Sequence, residues 1–121
     1  MRQENIIQDK SYAFAVRVVR LSKYLIEEKK EYVFSKQIAR SGTSIGSNVE
    51  EAIGGQTEKD FYSKLTISYK EVRETRFWLR LLRDTDYLDA QLAESLLNDC
   101  DELLKILGAI TRTLKKKIFD S

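Results

Sequence analysis

A chain of 121 residues and 14.1 kDa has room for one domain, and its net charge of +2 is so small that any electrostatic function must come from where the charges lie. It has no histidine and a single cysteine, Cys100, which excludes an internal disulfide, a thiolate zinc site and the commonest general base. With no proline, 42% hydrophobic and 33% charged residues, it has the composition of long amphipathic helices, so an all-α fold is expected.

The opening segment MRQENIIQDK has no apolar h-region, and no apolar run reaches the roughly 18 residues of a membrane span, so a cytoplasmic location without membrane contact is expected. From about 9 to 29, Phe14, Val18, Leu21 and Leu25 recur at four-three-four spacing, which predicts the first helix. Tyr12, Val16, Val19 and Ile26 add a second apolar flank. Lys29 to Tyr32 reads as a short connection, and Ser35 is the expected N-cap of a second helix over 35–53.

That second helix contains IARSGTSIGSNVEEA, residues Ile38 to Ala52, whose Gly, Ser, Thr and Asn resemble a loop. The loop-like residues nevertheless keep helical register, because Ile38, Gly42, Ile45, Val49 and Ala52 follow four-three-four-three spacing along one face. Gly42 and Gly46 are four apart, a small-residue pair that lets another helix approach closely at a propensity cost of roughly 1 kcal/mol per Gly. A phosphate-binding P-loop would need a preceding strand and a Gly-Lys-Ser/Thr ending, and the segment has neither. Arg40, Ser44, Asn48 and Glu51 form a polar series on the other side, suited to interhelical hydrogen bonds, to solvent or to a ligand.

Gly54-Gly55-Gln56-Thr57 is the clearest breaker; Thr57 is the expected N-cap of a third helix over 58–83, with Asp60 in a capping-box-like position. Phe61, Leu65, Ser68, Val72, Thr75, Leu79 and Leu82 mark its inner face over roughly 40 Å. Asp89 is the expected cap of a fourth helix over 89–118, with Leu92, Leu96, Asp99, Leu103, Ile106 and Ile110 in the same pattern. Short connections make sequence neighbours antiparallel, which gives a single domain over 1–121 built as an up-down-up-down four-helix bundle.

The segment Arg40 to Ala52, followed by Lys59-Asp60-Phe61, Lys64-Leu65 and the run Tyr69 to Leu79, resembles the bacterial four-helix-bundle proteins encoded in intervening sequences of 23S ribosomal RNA genes. The likeness spans roughly residues 10 to 115. By similarity to the related accessory variability protein of diversity-generating retroelements, it implies a ring-like homo-oligomer, a pentamer. That relative is associated with a reverse transcriptase, so RNA or DNA and a nucleic-acid-processing protein are further partners the resemblance implies. It brings no catalytic residues and no cofactor. Arg40, Ser44, Asn48, Glu51, Lys70, Glu71, Glu74 and Trp78 fall on its characteristic positions, where the implied role is a structural polar network.

Function then turns on charge placement. Arg73, Arg76, Arg80 and Arg83 follow three-four-three spacing on the third helix, a stripe able to track phosphates, and Tyr69, Phe77 and Trp78 on the same helix are aromatics able to stack on bases. Lys10, Arg17 and Arg20 add a cationic strip on the first helix, and Arg112, Lys115, Lys116 and Lys117 cluster near the C-terminus. Against this stands intramolecular pairing, because the first half of the fourth helix carries Asp89, Glu94, Asp99, Asp101 and Glu102 without a base and lies antiparallel to the arginines. Tyr62, Tyr69 and Trp78 support a competing class, a protein-binding adaptor or assembly scaffold. Glu50-Glu51 and Glu71-Glu74 lack the Glu-x-x-His pattern of di-metal bundles. The expectation is a non-enzymatic, homo-oligomeric bundle that binds nucleic acid, with the adaptor as the alternative.

Overall fold

A computed structural model describes residues 2–120, with side chains described from Asn5 onward. It contains α1 (Arg2–Glu27), α2 (Phe34–Ile53), α3 (Glu58–Asp84) and α4 (Ala90–Phe119), with no strand among the described residues. Each helix packs against the next in sequence, and a thinner α1–α4 contact closes the four-helix bundle.

Helix α1 starts well before residue 9, since Ile7, 1% exposed, extends the buried face by two turns before Phe14. It stops at Glu27, because Lys30 turns into the left-handed region at φ 54° and the Glu31 N–H donates back to the Leu25 carbonyl at 2.9 Å. Ser35 is not the cap of α2. It lies inside the helix, and the buried Glu31 carboxylate accepts instead from the N–H groups of Val33, Phe34 and Ser35 at 2.8, 3.1 and 2.7 Å. A carboxylate is well suited to the positive end of a helix, where several N–H groups lack partners within the helix itself. Thr57 and Asp89 cap α3 and α4 with side-chain oxygens that accept from Asp60 N at 3.0 Å and Leu92 N at 2.8 Å.

The two glycines of α2 set the distance to α1. A Cβ on Gly42 would lie 2.6 Å from Val18 Cγ1, and one on Gly46 would lie 3.3 Å from the Ser11 carbonyl oxygen. Across the other side of α2, the Ser41 and Thr75 hydroxyls are 2.8 Å apart, and Ser68 Oγ donates to the Ile45 carbonyl at 2.9 Å, so the buried polar groups tie α2 to α3.

In α4 the buried face is rotated from the expected one. Ala93, Leu96, Leu97, Cys100, Leu103, Leu107, Gly108 and Ile110 are buried, while Leu92, Asp99 and Ile106 lie at its margin. The small Ala93, Cys100 and Gly108 are among the buried residues. Their modest hydropathy hides the true centre of the arc beneath the flanking leucines.

Candidate functional site

Helix α3 presents its basic residues in two directions. Arg76 leans toward α4, where its Nε donates to Asp101 Oδ1 at 2.9 Å, and Arg83 Nε donates to Asp84 Oδ1 at 2.7 Å. That hydrogen bond holds the Asp84 carboxyl below its ordinary value and raises Arg83 above its own. Arg73 and Arg80 form no ion pair among the described residues, although Arg80 adds a weaker electrostatic pull on Asp84. The four arginines are therefore not one equivalent stripe.

The acidic half of α4 is divided between two neighbours, which decides how much of the basic charge it neutralises. Asp101 faces α3, whereas Asp99 pairs with Arg17 at 2.5 Å and Glu102 with Lys10 at 3.2 Å, both on α1. Arg17 also donates to Ser95 Oγ at 3.0 Å, so it serves the α1–α4 contact. Arg20 forms no ion pair among the described residues and lines a mostly apolar groove of about 320 Å³ with Leu21, Tyr24, Leu92 and Leu96. One of the four α3 arginines is matched by an α4 carboxylate.

Arg73, Arg76 and Arg80 line an open groove of about 420 Å³ together with Phe77, Asp101 and Leu104. Lys70, Arg73, Phe77 and Arg80 follow three-four-three spacing and are all exposed, so this set makes up the outward face of α3. Phe77 on this face is 53% exposed. Sequence reasoning places Lys70 in a polar network instead, and nothing in hydropathy marks a phenylalanine as the exposed one.

The residues expected to form that network do not form one group. Arg40 of α2 pairs with Glu74 and lies 3.7 Å from Glu71, both on α3, and Glu74 also accepts from Trp78 Nε1 at 3.0 Å. Asn48 Nδ2 donates to the Ser44 carbonyl at 2.8 Å within α2, so this bond does not reach another helix. Glu51 pairs with Lys64 at 3.0 Å. Arg40, Glu71, Glu74 and Trp78 form one connected group, from which Ser44, Asn48, Glu51 and Lys70 stand apart.

A family profile described as 23S rRNA-intervening sequence protein matches residues 3–109. The crystal structure of a protein with unknown function from the S23 ribosomal protein family of Bacteroides thetaiotaomicron is similar at 49% identity and a TM-score of 0.89, covering 91% of this chain and 98% of that one. No curated protein sequence matches the chain.

Proposed function

The chain belongs to the family of 23S rRNA-intervening sequence proteins, and on that footing we propose that it is a non-enzymatic nucleic-acid-binding protein whose contact surface is the outward face of α3. The observation that carries this reading is the pair Arg73 and Arg80, two exposed guanidinium groups on one groove that form no ion pair with a carboxylate among the described residues. Guanidinium groups bind phosphates with two parallel hydrogen bonds each. Net charge contributes little at +2, so local charge must supply the attraction.

A second observation supports self-association. The outer face of α1 exposes Tyr12 at 69%, Val19 at 45% and Ile26 at 41%, with Val16 half-buried between them, in one stripe opposite the core. A second copy of the chain is the occupant we assign to this stripe, in the ring of five that the family resemblance implies. The assembly would repeat the α3 face and raise its avidity for a long polyanion. An adaptor that uses this stripe for a different protein is the alternative reading.

Light-scattering mass determination on the purified protein, alone and with a mixed RNA pool at low and physiological salt, tests both parts. The expected result is an oligomer that gains RNA mass at low salt and loses it as salt rises. An oligomer that ignores RNA at both salts would favour the adaptor.

A further inference from the structure

Tyr69, Phe77 and Trp78 have different fates in the fold. Tyr69 and Trp78 pack against the core cluster, whereas Phe77 leaves 53% of its surface in solvent. Its ring is also held in place. Trp78 meets it edge to face with centroids 5.2 Å apart at 71°, the ring of Phe34 of α2 lies 5.9 Å from that of Trp78 between centroids, and Glu74, paired with Arg40, accepts the indole N–H. Contacts from two helices thus fix the ring that supports Phe77, which lowers the ordering cost of anything that stacks on it.

The charges around this ring narrow the ligand further. Arg73 precedes Phe77 by four residues, Arg80 follows by three, and Lys70 lies one turn beyond Arg73 on the same exposed face. A duplex offers phosphates but keeps its base faces stacked within the helix. A single strand offers phosphates and free base faces together. We propose that this face binds single-stranded nucleic acid, with one unpaired base stacked on Phe77 and its flanking phosphates held by Lys70, Arg73 and Arg80. The inference rests on the nucleic-acid reading above and adds a preference within it.

The test uses the full chain with a labelled short oligouridylate and a labelled hairpin duplex of equal length, read by anisotropy. Trp78 is the only tryptophan and touches Phe77, so its own fluorescence provides a second readout at the site. The single strand should bind more tightly than the hairpin and change Trp78 emission. Phe77→Leu should weaken the single strand about tenfold while leaving the hairpin within about twofold, and Phe77→Tyr should restore binding. Circular dichroism checks that both variants keep their helix content, as an exposed position allows. If the oligouridylate binds but Phe77→Leu leaves its affinity unchanged, the stacking assignment is overturned and the nucleic-acid reading stands. If neither oligonucleotide binds, both are overturned, and the face is left to an acidic protein partner.

Discussion

The Cys100 thiol is fully buried on the inner face of α4; desolvation, reinforced by Asp101 and Asp99, pushes its pKa up to about 12 from 9.0. In the unfolded chain it ionises near its ordinary value, so between 9.0 and about 12 the unfolded state releases a proton that the folded state keeps. Stability is therefore unaffected by this group below 9.0 and falls as pH rises through that window. Thermal melts of wild type and Cys100→Ala across it should show the steeper loss in wild type, and the native thiol should resist a disulfide reagent that labels it at once in denaturant. Gly42 allows a second residue-level test. Gly42→Ala gains about 1 kcal/mol of helix propensity, but its Cβ meets Val18 at 2.6 Å at an overpacking cost of about 1–3 kcal/mol, and urea unfolding should show a net loss of up to about 2 kcal/mol. The same change in a Val18→Ala background should cost less, since the colliding methyl groups are gone.

Among the elements, α2 depends most on a residue outside itself. Glu31 is 7% exposed and satisfies three N–H groups, so Glu31→Ala should lower stability by about 2 kcal/mol in chemical denaturation, more than Ser35→Ala. This cap was not legible in the sequence, because Ser35 is the more familiar capping type and the reach of Glu31 depends on the turn at Lys30. The core face of α2 was legible, since Ile38, Gly42, Ile45, Val49 and Ala52 are all small or apolar and no competing apolar flank confuses their spacing. Helix α4 carries Leu or Ile on both flanks, so period alone could not centre its buried arc. The candidate site divides in the same way. Sequence spacing reveals that arginines recur along α3, but which of them meet carboxylates depends on the offset between α3 and α4, and of these four arginines Arg76 pairs with Asp101.

At the scale of the whole molecule, the proposed function assigns assembly to an apolar stripe on α1 and binding to a basic face on α3. Tyr12→Glu with Val19→Glu places two charges on the stripe, and light scattering should then return the 14.1 kDa monomer while helix content is kept. Among the described residues no helix is long and apolar enough to cross a membrane. The α3 face is the central claim, and the salt dependence of binding tests it most directly. Affinity for a single-stranded RNA should be measured over a salt series for wild type, for Arg83→Gln and for the triple variant Lys70→Gln, Arg73→Gln, Arg80→Gln. Arg83 is already paired with Asp84, so its removal should barely change the slope. The triple variant should bind more weakly at every salt concentration, with the slope of log K against log salt smaller by about 2. An unchanged affinity and slope in the triple variant would contradict the account.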